Sequence, residues 1–150
     1  MKRRYQILLV ITLVIILLDQ YTKFLVIKHL TNGLGREPAG ISESIQRFYT
    51  TLHPQAVRRY VVLENFWQFR YAENAGAAWG FLNQADPTFR RPFFLVVSLL
   101  AIAFILYFYR RLEAGQVLLQ LALSLVMGGA LGNFIDRLVR IYVIDFIDWH

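Results

Sequence analysis

Cysteine is absent from all 150 residues. This excludes a disulfide framework, a cysteine nucleophile and zinc–thiolate sites together, so any loop outside a membrane must be held by packing. Internal repeats and low-complexity tracts are also missing. Metal-ligating residues are sparse: Asp148 and His150 form a D-x-H pair with no third donor in sight, a poor cage, so neither a metal nor another cofactor is expected. Met1-Lys-Arg-Arg4 leads into a long apolar run with no small-x-small pattern closely after it, and the run contains Asp19 and Lys23. It reads as a retained span rather than a cleavable signal peptide.

What is abundant is hydrocarbon. Hydrophobic residues make up 57% of the chain and aromatics 15%, with a mean hydropathy of +0.43, which points to one integral membrane domain over residues 1–150 and not to a soluble core. Three stretches, about 5–27, 92–109 and 117–135, approach the ~20 residues that a bilayer crossing needs. Lys2, Arg3 and Arg4 precede the first, and Arg110 and Arg111 lie in the short connection between the second and third, so both ends are expected in the cytoplasm. The loop 28–91 then lies outside. It is basic as well, but long loops weigh less in this rule than short ones. A formal charge of +6 in so apolar a chain is explained by attraction to anionic membrane lipids, with no call for nucleic acid.

Within the outer loop, Thr31–Gly35 and Pro38–Gly40 break the first helix. Residues 41–60 read either as a short surface helix or as an irregular insert. Trp67-Gln-Phe-Arg-Tyr71 alternates apolar with polar, so Val61–Tyr71 is expected to form a short extracytoplasmic strand or hairpin. The fold class is therefore an all-α integral membrane protein, with three transmembrane helices and a small β element in the first outer loop.

Charges inside the spans mark candidate sites. A carboxylate near the bilayer centre costs about 2.5–3.5 kcal/mol, so Asp19 needs a reason. Lys23, four residues on, shares its helical face and can partly neutralise it, as a site element or as an ion pair locking helices together. In Glu73–Gly80, Asn74 offers two donors and an acceptor, while Gly76 and the alanines allow close backbone approach. Gly128 and Gly132 form a small-x-x-x-small face. Asn133, Asp136, Arg137 and Arg140 follow at i, i+3, i+4 and i+7 on one stripe, and an Asp136–Arg137 pair is expected to hold the site together rather than to act chemically. Asp145, between Ile144 and Phe146, is the best catalytic candidate, because apolar surroundings suit a carboxyl group to acid–base work.

Taken together, Asp19-Gln-Tyr-Thr-Lys23, Asn74-Ala-Gly-Ala-Ala78, Gly128–Arg137 and Val143-Ile-Asp-Phe-Ile-Asp148 resemble, in order and topology, the lipoprotein signal peptidases, or signal peptidase II. The resemblance spans nearly the whole chain. It implies a monomeric aspartic endopeptidase of the bacterial inner membrane that cuts just ahead of a diacylglyceryl-modified cysteine in a prolipoprotein. Asp145 would be one of two catalytic aspartates, and Asp19, Lys23, Asn74, Gly76, Asn133, Asp136 and Arg137 would shape the site or bind substrate. Two departures stand out. The first outer loop is longer than is usual, and the sequence ends before the family's Asn-x-Ala-Asp motif and fourth helix, so the 150 residues are expected to be inactive alone. A lipid- or lipopeptide-binding remnant and a small proton-coupled transporter are the alternatives, although a transporter would want broken helices and a repeat.

Overall fold

The computed structural model describes residues 3–35, 40–76, 82 and 84–149. Lys2, Pro38, the Ala77–Gly80 part of the small-residue motif and His150 lie outside the described residues.

Helix α1 runs from Arg3 to Leu30 without an interrupting glycine or proline, and its apolar run turns side chains in all directions, as suits a helix surrounded by other apolar groups. It stops at Thr31. The Thr31 hydroxyl donates to the Ile27 carbonyl at 2.6 Å and accepts from Gly33 N at 3.0 Å, and Gly35 adopts φ +82°, a conformation that costs glycine nothing.

A second long helix, α3 (Pro87–Arg111), begins before the expected span at Pro92. Asp86 caps it by accepting from Thr88 N at 2.8 Å, with Pro87 at the first helical position, and this start outweighs the one ladder bond that Pro92 forfeits. Helix α4 (Val117–Arg140) likewise continues past Ile135, since the polar stripe at its end finds partners inside the protein. These three helices are each long and apolar enough to cross a membrane, and α4 packs against both others. Leu9, Leu17, Leu100, Phe104 and Leu118 stand exposed on their outer surfaces, where lipid tails are the natural solvent.

Close approach of α1 and α4 depends on the two glycines. A Cβ on Gly128 would lie 2.5 Å from Ile15 Cβ, and one on Gly132 would collide with the Asp19 carboxylate. A buried hydrogen bond from Thr12 Oγ1 to Ser124 O, 3.2 Å, crosses the same seam. Gly129 faces open space. Gly128→Ala should therefore destabilise the protein by about 1–3 kcal/mol, because the clash is with a rigid branched side chain. Gly129→Ala should be neutral, or stabilising by up to about 1 kcal/mol through helix propensity. Thermal unfolding of the two variants in one detergent checks this, and equal melting temperatures would remove the glycine seam from the account.

Outside the spans, residues 41–60 contain helix α2 (Ile41–Thr50), which answers the ambiguity of that segment. Strand β1 (Tyr60–Leu63) pairs antiparallel with β2 (Trp67–Asn74) through a tight turn in which Asn65 takes φ +56°. The expected hairpin is there, but it is two strands of a three-stranded sheet of order β1-β2-β3. The third, β3 (Val143–Trp149), is the segment after α4, paired antiparallel with β2 with Ala72 opposite Asp145 and Asn74 opposite Val143. Ile141, at the end of α4, takes φ +76° to reverse the chain. A β-branched residue there is strained by about 1–2 kcal/mol, a cost that a packed helix–strand corner must offset. Val26, Ile27, Leu30, Phe48, Tyr142 and Ile144 form the core, where α1, α2 and the sheet meet over the helix ends.

Candidate active site

At the foot of that core, α1 and α4 bring together a cluster of charges. Asp136, with no exposed side-chain surface, is its centre. Lys23 Nζ lies 2.7 Å from Asp136 Oδ2 and 2.9 Å from Asp19 Oδ2, and donates to Asn133 Oδ1 at 3.2 Å. Arg140 Nη1 approaches Asp136 Oδ1 at 3.2 Å, the Ile144 backbone N–H donates to Oδ2 at 3.2 Å, and Gln20 Nε2 donates to Oδ1 at 3.3 Å. Both oxygens of Asp136 thus receive donors from α1, α4 and β3. A buried charge is tolerable only under such saturation.

The expected Asp136–Arg137 pair does not form. Successive helical residues are separated by about 100° around the axis, so Arg137 points elsewhere while Arg140, one turn on, reaches the carboxylate. Arg137 Nη2 instead donates to the Gly76 carbonyl at 3.2 Å, with its guanidinium 5.4 Å from the Phe94 ring centroid. It links the end of β2 to α3 and α4. Arg140 makes a second buried bond, Nη2 to Phe48 O at 2.6 Å, and lies 4.2 Å from the Phe48 ring centroid. Residues 41–60 therefore support the charge cluster through α2. Gln20, Phe48 and the Ile144 amide were not singled out in the sequence. Gln20 could have been found from its place beside Asp19, whereas a backbone amide and a carbonyl leave no sequence trace.

Asp145 stands just beyond this cluster, and it is exposed. The reason given for it from sequence is corrected by the strand: Ile144 and Phe146 alternate to the inner face, Ile144 only 1% accessible, while Asp145 turns outward. It is held instead by a polar contact. Asn74 Nδ2, a diagonal neighbour across the β2–β3 ladder, donates to Asp145 Oδ2 at 2.9 Å, and Asn74 Oδ1 accepts from Gly76 N at 3.0 Å. Asn74 and Gly76 thereby orient Asp145 as one unit, with Arg137 on the Gly76 carbonyl behind them. A cavity of about 250 Å³ is lined by Asp19, Lys23, Asn133 and Asp145. Five of the eight residues named from sequence line this cavity or belong to the charge cluster, Asn74 reaches it through Asp145, and Gly76 and Arg137 act through backbone groups.

Asp148 has other business. It lies on the alternate face of β3 from Asp145, bound by Arg70 Nε at 2.8 Å and Gln68 Nε2 at 2.6 Å from β2. Among the described residues, no group of three or more His, Asp or Glu side chains is placed to hold a metal ion. Above the sheet corner the Tyr71 hydroxyl donates to Glu73 Oε1 at 2.8 Å and sits 3.1 Å from the Tyr142 hydroxyl. Burial pushes both phenols above the ordinary tyrosine range, so they remain neutral.

A multi-pass membrane protein with a desolvated carboxylate–lysine cluster beneath a small surface sheet is the class that this architecture defines. The match to known proteins is more specific. Residues 11–150 fit the family model of signal peptidase (SPase) II. The lipoprotein signal peptidase of Anaeromyxobacter sp. (strain Fw109-5) is 47% identical over 146 residues, which are 95% of this chain and 68% of that protein. The lipoprotein signal peptidase of Bacillus subtilis (strain 168) is 39% identical over 137 residues, 91% of this chain and 70% of the relative. Two solved chains of a bacterial membrane enzyme, obtained by the in meso method at 2.3 and 1.9 Å resolution, superpose with TM-scores of 0.66 and 0.65 at 26% identity. Each match covers 95% of this chain, and 70% and 73% of the solved chains. The chain belongs to the signal peptidase II family, and is a multi-pass bacterial membrane protein of the protease class.

Proposed function

We propose that this protein removes signal peptides from prolipoproteins, cutting ahead of a diacylglyceryl-modified cysteine, with Asp145 as one carboxylate of an aspartic pair. The observation that carries this reading is the Asn74–Asp145 hydrogen bond of 2.9 Å at the mouth of the cavity shared with Asp19, Lys23 and Asn133. It leaves one carboxylate oxygen of Asp145 positioned on a strand beside a buried cluster of paired charges.

Hydrolysis by paired carboxylates needs one group ionised, to take a proton from the attacking water. The other is protonated, to hydrogen-bond the scissile carbonyl oxygen, and mutual repulsion keeps the two titrations apart. One aspartate cannot fill both roles. Residues 1–150 supply Asp145, and Asp148 is unsuited as its partner because it points to the other face of β3 and is engaged by Arg70 and Gln68. The second carboxylate comes in this family from an Asn-x-Ala-Asp motif. A segment of that kind would supply the partner carboxylate that Asp145 needs. Asp19, Lys23, Asn133, Asp136 and Arg137 hold the floor of the site, while Asn74 and Gly76 set the carboxylate. The apolar helix surfaces hold the acyl chains of the substrate in the bilayer, presenting the scissile bond at its surface. The protein works as a monomer in the inner membrane, with its N-terminus in the cytoplasm and the sheet on the outer side.

Two measurements test this together. The 150-residue polypeptide should leave a diacylglyceryl-modified prolipoprotein uncut, and the same chain extended by a family-type C-terminal segment should cleave it. Reporters fused at Gly40 and Glu113 should read extracytoplasmic and cytoplasmic. Cleavage by the 150 residues alone would refute the need for a second carboxylate from such a segment, and reversed reporters would place Asp145 on the wrong side of the membrane.

A further inference from the structure

A second recess, of about 510 Å³, opens between the last turns of α1, the segment entering β1, and strands β2 and β3. Its wall is apolar: Leu25, Val26, Leu30, Phe69 and Phe146. Its rim is cationic. Arg58 and Arg59 line it, both exposed, and His29 stands beside them at the end of α1. Arg47, Arg70 and Arg140 each pair with a carboxylate, but among the described residues Arg58 and Arg59 have no such partner. Neither Asp145 nor any member of the charge cluster lines this recess. Phe146 is shared, lining both it and the smaller cavity at Asp145.

An apolar cleft at the end of a membrane-spanning helix, closed by two unneutralised guanidinium groups, matches an amphiphile with an anionic head. We propose that the recess holds one anionic phospholipid of the surrounding membrane, its upper acyl chain against Leu25, Leu30 and Phe69 and its phosphate on Arg58 and Arg59. The diacylglyceryl group of a prolipoprotein fits less well. It joins its cysteine through an uncharged thioether and brings no phosphate to the arginines. Binding needs no turnover, so it stands or falls apart from the proposed peptidase reaction. A lipid in this position packs against Phe146, next in sequence to Asp145, and so stiffens the strand that carries the candidate catalytic group.

The test uses the purified 150-residue chain in neutral detergent, with retained lipid counted by native mass spectrometry after titration with dioleoyl phosphatidylglycerol or dioleoyl phosphatidylcholine. The wild-type chain should retain one phosphatidylglycerol in preference to phosphatidylcholine. The double variant Arg58→Gln/Arg59→Gln should bind it on the order of ten-fold more weakly. Both side chains are exposed, so its melting temperature without lipid should match the wild type. The equally exposed pair Arg110→Gln/Arg111→Gln controls for general charge and should bind normally. Equal loss in both double variants, or no headgroup preference, would overturn the site. So would full displacement by millimolar inorganic phosphate, which would reveal an anion site without a chain cleft. Displacement by a diacylglyceryl lipopeptide with the same dependence on Arg58 and Arg59 would hand the recess to the substrate instead.

Discussion

Asp136→Ala will destabilise the protein by about 3–5 kcal/mol, the cost of leaving buried cations uncompensated. Lys23, with a side chain 3% exposed, would retain only Asp19 as an anionic partner, and Arg140, 1% exposed, would lose its only carboxylate among the described residues. The Ile144 amide would lose its acceptor as well, loosening the start of β3. The effect should appear as low accumulation in the membrane and a depressed melting temperature in detergent. Asp136→Asn, which keeps the shape and one acceptor oxygen, should fall between the two. Asp19→Ala should cost less than Asp136→Ala, since Asp19 is one-fifth exposed and serves Lys23 alone among the cations. A protein that accumulates and melts normally without Asp136 would show that the cluster is not what holds α1, α4 and β3 together.

The other large effect falls on chemistry rather than folding. In the chain extended by a family-type C-terminal segment, Asp145→Asn should abolish turnover, a loss of at least about 10²–10⁴-fold for a group that must act as acid or base. Substrate binding should be largely spared, because the amide keeps the size of the carboxylate and can still bond with Asn74 after a flip. Folding should be unaffected, as Asp145 is exposed and takes no part in the ion pairs of the cluster. Asp148→Asn should be mild by comparison, weakening a cross-strand contact to Arg70 that is half in water. Kinetics with a lipid-modified substrate decide between them. An inactive Asp148→Asn beside an active Asp145→Asn would reverse the assignment.

Residues 41–60 of the outer loop bear on the first of these effects. Helix α2 delivers the Phe48 carbonyl and ring to Arg140, and Arg47 Nη1 donates to Leu34 O at 2.6 Å to hold α2 against the end of α1. The same segment carries Arg58 and Arg59 past the apolar recess. A loop that sequence alone left between helix and irregular coil thus braces the charge cluster from outside the membrane.

The three spans, the hairpin around residues 61–71 and the charged stripe on each of α1 and α4 were legible in the sequence, because each depends on local periodicity. An i, i+4 spacing puts Asp19 and Lys23 on one face whatever the rest of the chain does, and a glycine every fourth residue makes a helix surface flat wherever it packs. Which partner each charge would choose was not legible. Lys23 meets Asp136 from 113 positions away in sequence, and Arg140 displaces Arg137 at that carboxylate only because helix rotation and the neighbouring α1 leave one direction open. The assignment of Val143–Trp149 to a strand was equally out of reach, since its edge is satisfied by β2, a segment about seventy residues earlier. That pairing turns Asp145 outward to Asn74 and Asp148 back to Arg70, where sequence adjacency had suggested a carboxyl enclosed by Ile144 and Phe146. Local spacing determines which side chains share a face; only the packing of distant segments decides what that face meets.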